Sequence, residues 1–391
     1  MSYSFEPDWT KTIVLPTGQR LGHLPKDPNI FLDRSTIYYG ASGTGKSVAI
    51  REQLKLLEGL INSVIVYAPT NKVNQTYTGI VDDCVIHSKL TRESIDRVFA
   101  EQEKLATIYT EINNPTILEE VVRLMLDIPM LSSVYYRTVN RVETLNNKLV
   151  EKTKIIKSSN MNFPEAREKI GEFADLVKNK IIELYKTAIR ENRQCLLENI
   201  NDPLYTSIIK KIDMNPRLLI VMDDCIDDIV AISGKSKKDK SGDSKPSIMD
   251  TIFSRGRWAY ITIIIAAQDD VKVTAAIRKN TYISIFTDAE CAQHFMESKA
   301  NAIMAQKRKY ANIVINAIFN DGQLKRNDKK LVYYRLGSLD KNMFTYKIAD
   351  IYESIDIGSP AFKLACAKIS NKQPTKKEVL RQLLVPNSVN S

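Results

Sequence analysis

The sequence predicts an α/β fold: a mostly parallel sheet flanked by helices, with a long all-helical insertion. Three observations carry this. A glycine-rich run, Gly40-Ala41-Ser42-Gly43-Thr44-Gly45-Lys46-Ser47, stands between a β-rich pentapeptide and a helical pattern. Apolar runs without polar alternation recur at 63–68, 217–222 and 260–267, as expected of strands buried on both faces. Between about Thr91 and Lys211 the strand signals vanish and apolar residues return every three or four positions.

The 391 residues suffice for one large domain or two ordinary ones. Lys+Arg number 56 against 46 Asp+Glu, a net charge of +10 that points to a polyanionic partner, nucleic acid foremost. Five cysteines without CxxC spacing and three histidines argue against a zinc site or a disulfide framework, and for a reducing compartment. The N-terminus lacks the charged and apolar regions of a signal peptide, and no run reaches the length of a membrane span. A soluble intracellular protein without a membrane segment is expected.

Taken in order, residues 1–34 are proline-punctuated and read as an irregular lead-in that lays one edge strand on the sheet through Thr12–Leu15. The sheet-bearing core is expected at 35–90 and again at 212–350. Within it, Ser35–Tyr39 is a strand, the glycine-rich loop follows, and Val48–Leu57 is a helix. Ser63–Ala68 and Cys84–Ile86 are further strands. The insertion, 91–211, reads as antiparallel helices with turns at Asn113–Pro115, Ser158–Pro164 and Asn201–Pro203. Its stripes, Val142, Leu145, Leu149 and Ile156 on one helix and Ile170 to Ala188 on another, are expected as internal core, with a partner-binding coiled coil as the alternative. Arg217–Met222, Tyr260–Ala267 and Thr281–Phe286 are strands, and Asp288–Tyr310 is helical. Leu331–Tyr334 and Met343–Tyr346 pair as a hairpin. The basic tail, 351–391, carries a short helix capped by Thr375 and Glu378.

The chemistry begins at the glycine-rich run, which satisfies G-x-x-x-x-G-K-[ST], the phosphate-binding P-loop. Its glycines let successive N–H groups turn inward around phosphate oxygens. Lys46 brings a charge to the β- and γ-phosphates and Ser47 offers a hydroxyl to Mg²⁺. The helix that follows points its positive dipole end at the same anion. ATP and Mg²⁺ are therefore the expected cofactors. The strand 217–222 delivers Asp223 and Asp224 at its end, where open sheets bind ligands. Asp223 is assigned to the metal and Asp224 to the attacking water, as general base. Gln268 ends another strand, where an amide can sense the γ-phosphate. Arg255 and Arg257 are candidate arginine fingers, with Arg278 less favoured. The lysine-rich loop 234–245 is a candidate contact to a DNA backbone.

These residues resemble the genome-packaging ATPases of nucleocytoplasmic large DNA viruses (poxvirus-type), within the FtsK–HerA superfamily of P-loop NTPases. The match runs through Tyr39–Ser47, Tyr67-Ala68-Pro69-Thr70, Leu219–Cys225 and Phe253–Gln268, under half the chain. It departs from the expected pattern at Trp258, where a histidine is anticipated. The resemblance implies a RecA/FtsK-like core and a homo-oligomeric ring that hydrolyses ATP to move double-stranded DNA, without sequence preference, into a capsid. It implies that Lys46, Ser47, Asp223, Asp224 and Gln268 do the chemistry and that the Ser-Arg-Gly-Arg turn supplies the finger. A virion or host-cytoplasmic (viral factory) location follows, and the insertion is left open to capsid protein, DNA or a sister subunit. A helicase, an AAA+-type remodeller and a slow nucleotide-gated scaffold are the competing readings.

Overall fold

The structure, a computed structural model, describes residues 4–159, 161–233, 247–301, 303–319, 328–339 and 341–370. It divides into two compact units, Met1–Gln102 with Arg217–Ser391, and Glu103–Pro216.

The first unit is built on one ten-stranded sheet. β1 (Asp8–Val14) and β2 (Arg20–His23) form an antiparallel pair at one edge. β3 (Ser35–Tyr39) is fully buried and runs through the glycine-rich loop into α1 (Lys46–Leu56). β4 (Ser63–Tyr67), the single turn α2 (Asn71–Asn74) and β5 (Ile86–His87) follow. α3 (Arg92–Ile112) leads into the second unit, which holds α4 (Pro115–Arg123), α5 (Ser132–Ser158), α6 (Phe163–Glu191), α7 (Arg193–Asn199) and α8 (Pro203–Lys210). The chain then resumes the sheet with β6 (Leu218–Asp223), α9 (Ile226–Ser233), α10 (Ile248–Arg255), β7 (Ile261–Ala267), α11 (Ala275–Asn280) and β8 (Ile283–Phe286). α12 (Ala289–Glu297), α13 (Ala305–Phe319), β9 (Lys329–Tyr334), β10 (Phe344–Ile348) and α14 (Pro360–Ser370) complete it.

The strand order is β1-β2-β10-β9-β8-β3-β7-β6-β4-β5. The six strands from β8 to β5 are parallel; β9 runs antiparallel to β8, and β10 runs antiparallel to β9. β6 and β7 carry no exposed residue, which is why they read as continuous apolar runs. α1 packs on one face of the sheet through Ile50 and Leu54, both buried, and Tyr38 of β3 donates a hydrogen bond of 2.7 Å to Gln53 Oε1. Truncating either apolar residue to Ala costs about 2–5 kcal/mol.

Several local expectations change. The lead-in lays two strands on the sheet, since Gly18, at φ 80°, closes a turn that lets Arg20–His23 pair back on β1. Cys84 and Val85 form a 3₁₀ turn instead of a strand, because the Asp82 carboxylate accepts the Cys84 N–H at 3.0 Å; only Ile86 and His87 pair. The helix expected over 288–310 is broken between Glu297 and Ala305, and Asp288 caps its first half by accepting from Cys291 N at 2.8 Å. The tail beyond Ser370, with Thr375 and Glu378, and the lysine-rich loop 234–245 lie outside the described residues.

In the second unit the helix starts follow one local rule. Asn114, Asn162 and Asp202 each accept a backbone N–H of the first turn, and each is followed by proline in the first two helical positions. Val142 and Ile156 of α5 and Val177 and Ala188 of α6 are buried, while the core of this unit centres on Val121, Val122, Ile189 and Leu196. A groove of about 760 Å³ between α5 and α6 is lined by Leu145 and Leu176 beside Arg137, Arg141 and Lys180.

Candidate nucleotide site

The register of the parallel strands brings their C-terminal ends level. Tyr39 pairs with Ala267 and with Phe286, and Asp223 with Ala266, so the loop after β3, Gln268 after β7 and the two acids ending β6 share one edge. β7 separates the P-loop strand from the acid strand, which places Gln268 between them. The first unit is a P-loop NTPase fold.

Two glycines of the loop are dictated by geometry. A Cβ on Gly40 would lie 1.8 Å from Thr287 Oγ1. Gly45, at φ 96°, is the N-cap of α1 and sits where Lys330 Nζ would be 3.3 Å from a Cβ. No side chain caps α1, so the N–H groups of its first turn face outward with the positive end of the helix dipole. The loop is braced from behind by side chains that sequence patterning does not single out. Asp288 Oδ2 accepts from Ala41 N at 2.8 Å, Thr287 and Thr44 join hydroxyls at 2.5 Å, and Lys330 Nζ donates to Thr44 O at 2.8 Å. Lys330 reaches the loop because β9 is antiparallel: its first residues stand where the parallel strands end.

Lys46 Nζ donates to the carbonyls of Gly40 and Ala41. Burial lowers its pKa, partly offset by the negative charge of Asp223 and Asp224. Asp223 is 7% exposed, and its Oδ2 accepts from the Tyr77 hydroxyl at 2.9 Å. Burial raises its pKa and the adjacent Asp224 charge adds to that. Asp224 is exposed, adopts left-handed backbone at φ 54°, and accepts through Oδ2 from Thr70 Oγ1 at 2.9 Å. Gln268 is exposed, and its backbone carbonyl accepts from Cys291 Sγ at 3.1 Å. Burial pushes that thiol up to about 12, so Cys291 stays protonated as a donor.

The Ser47 hydroxyl and the Asp223 carboxylate are hard oxygen donors of the kind Mg²⁺ shares with phosphates. Tyr77 holds one carboxylate oxygen and leaves the other, so the donor set fits a metal held jointly with a triphosphate. No group of three or more His, Cys, Asp or Glu suited to a metal ion occurs among the described residues, so a metal held by protein alone does not fit.

The arginines divide sharply. Arg278, the less favoured finger, is 8% exposed and is committed to Asp270, with Nη1 3.0 Å from Oδ2. Asp270 is itself buried and also meets His294 Nδ1 at 2.5 Å and Asn301 Nδ2 at 3.3 Å. Arg278 therefore anchors the loop after Gln268 and is corrected from finger to structural ion pair. Arg255 and Arg257 are exposed, but they precede β7 at the N-terminal edge of the sheet, where Arg257 lies beside Arg34, Arg217 and Trp258. The seven residues of β7 separate that edge from Gln268 by roughly 20 Å. Neither arginine belongs to the constellation of its own chain.

Comparison with known proteins gives related results. No family model matches the chain. It is 24% identical over 378 residues to the uncharacterized protein B354L of African swine fever virus (isolate Pig/Kenya/KEN-50/1950), covering 92% of this chain and 95% of that protein. The B354L protein of the Warthog/Namibia isolate is 25% identical over 373 residues, covering 91% and 94%. Among solved structures it is similar to the pCW3 conjugation coupling protein TcpA with ATPγS, at 12% identity and TM-score 0.37, covering 94% of this chain and 75% of that one. It is also similar to the genome-packaging NTPase B204 of Sulfolobus turreted icosahedral virus 2 with AMP, at 9% identity and TM-score 0.32, covering 84% and 100%. These TM-scores mark partial likeness, and the fold rests on the strand order and loop described above. No described helix is long and apolar enough to cross a membrane.

Proposed function

We propose that this protein is an ATP-hydrolysing motor of the FtsK–HerA type that translocates double-stranded DNA, most plausibly as a genome-packaging ATPase working in a homo-oligomeric ring. The observation that supports it is the convergence of Lys46, Ser47, Asp223, Asp224 and Gln268 on one edge of one sheet, from three segments spread over more than 200 residues of the chain. In this reading the N–H groups of the loop and α1 bind the triphosphate and Lys46 neutralises it. Ser47 and Asp223 would hold Mg²⁺, which would supply charge neutralisation to the triphosphate. Asp224 takes the proton of the attacking water, and Gln268 orients that water against the γ-phosphate. Arg255 or Arg257 reaches the site of a neighbouring subunit, a reading supported by their position before β7, away from Gln268. DNA as the cargo is supported by the net charge of +10 and by the resemblance carried by 35–90 and 215–290.

Purified protein should hydrolyse ATP, faster with double-stranded DNA, while Lys46→Ala and Asp224→Asn abolish turnover. Equal rates for wild type with DNA, wild type without DNA and both variants would reject the motor.

A further inference from the structure

One short segment touches both acids. Thr70 Oγ1 donates to Asp224 Oδ2 and Tyr77 OH donates to Asp223 Oδ2, each at 2.9 Å. The two contacts differ in kind. Tyr77 is entirely buried and its backbone N–H is held by Asn71 Oδ1 at 2.9 Å, so the contact to Asp223 is fixed. Thr70 and Asp224 are both exposed, and a hydrogen bond open to water is cheaply exchanged.

Asn74 shows that the Thr70 bond is built. Its Nδ2 donates to Thr70 Oγ1 at 3.1 Å, which occupies the hydroxyl's acceptor side and turns its proton toward Asp224. Asn74 holds this place because α2 is one turn, with Asn74 N bonded to Thr70 O at 3.1 Å. That turn ends on Gln75 in left-handed backbone at φ 52° and presents Lys72 and Val73 to solvent, Val73 at 89% exposure.

We infer that Thr70 restrains Asp224 and so sets the basal rate of hydrolysis, with the exposed turn Thr70–Gln75 as the element through which the restraint is released. This rests on Asp224 being the general base. A carboxylate that accepts from Thr70 is aimed toward β4 and has one lone pair fewer for the proton of water. Thr70 is thus a positioning residue, and its removal frees the base.

The test is steady-state ATP hydrolysis by the full chain with Mg²⁺ and without DNA. Thr70→Val, which removes the hydroxyl at nearly constant volume, should raise kcat roughly two- to tenfold with KM for ATP unchanged. Thr70→Ser, which keeps the hydroxyl, should return to the wild-type rate. Asn74→Ala, an exposed change that does not depend on Thr70→Val folding, should raise kcat by a smaller factor. Thr70→Val combined with Asp224→Asn should be as slow as Asp224→Asn alone. An unchanged or reduced kcat in Thr70→Val and Asn74→Ala, or a gain that survives in the double variant, overturns the restraint. These outcomes are distinct from failure of the functional reading, which shows as wild type and Asp224→Asn turning over alike.

Discussion

The two edges of the central sheet are made by the same strands and carry opposite chemistry. At the C-terminal edge a glycine-rich loop, two acids and an amide converge, and every backbone carbonyl that turns back is met by a donor: Lys46 on Gly40 and Ala41, Lys330 on Thr44, Cys291 on Gln268. At the N-terminal edge stand Arg34, Arg217, Arg255 and Arg257, with Arg34 stacked 4.1 Å over the Tyr282 ring, Arg217 paired with Asp33 at 3.2 Å, and Trp258 79% exposed. One edge is a phosphate site whose nearby arginine, Arg278, is committed to Asp270, and the other holds Arg257, Arg34 and Arg217 away from the phosphate loop. The difference teaches that residues close in sequence to a motif's strand are a strand's length away from it in space. In the proposed ring, a complete site would take one edge from each of two subunits.

The largest expected effect separates the edges directly. Lys46→Ala and Arg257→Ala should each lose about 100-fold or more in turnover. Mixed in equal amounts, they should recover activity, since roughly a quarter of the interfaces in a random ring then pair two intact edges. Mixtures that stay as inactive as the parents would break the two-edge scheme.

Ion pairs at the two edges should differ next. Asp270→Ala leaves Arg278 buried and uncompensated at the C-terminal edge, which should cost about 3–5 kcal/mol in denaturant unfolding. Asp33→Asn at the opposite edge breaks a more accessible pair and keeps a residue that tolerates left-handed backbone, here φ 57°, so about 1 kcal/mol or less is expected. Equal losses would remove the distinction.

The pH dependence of Mg²⁺-dependent nucleotide binding should report the C-terminal edge alone. Asp223 has a raised pKa, so it protonates at higher pH than an ordinary aspartate, and binding should fall on acidification while ordinary carboxylates remain ionised. Burial of its charged form also means that ionising Asp223 weakens folding as pH rises through that pKa. More Mg²⁺ should move the acidic limb to lower pH, and so should Asp224→Asn, which removes the second cause of the shift. Lys46 has a lowered pKa, so the alkaline limb should begin earlier than for an ordinary lysine. An acidic limb indifferent to both Mg²⁺ and Asp224→Asn would detach it from Asp223. The smallest effect is at Trp258. Trp258→Ala should leave the unfolding free energy within about 0.5 kcal/mol of wild type while weakening self-association in sedimentation.

What was legible in the sequence follows from range. Loop and strand chemistry act over a few residues, so the P-loop and the apolar strands β4, β6 and β7 could be placed without the fold, as could the turns at 113–115, 158–164 and 201–203, within which Asn114, Asn162 and Asp202 cap helices. Cys84 and Val85 misled because one capping carboxylate outweighed their β preference. Arg278 looked like a free arginine until Asp270, eight residues upstream, was found beside it. Tyr77, Thr287, Asp288 and Lys330 had no local signature, because their partners at the site lie about 145 to 290 residues away, and Thr70, legible as part of the Tyr67–Thr70 match, gave no sign of its bond to Asp224.

The reversed direction of β9 has a consequence in time. The brace on the phosphate loop, Lys330, and the buried ion pair from β10 that ties α1 down, Lys347 with Glu52 at 2.5 Å, come from the far end of the chain. At about 5–20 residues per second, a ribosome that has finished Lys46 needs roughly 15–60 s more to deliver them. Fragments released before that point carry the entire phosphate motif and neither of its fastenings. Until the hairpin is made, the side-chain bracing of the loop rests on its contacts to Thr287 and Asp288.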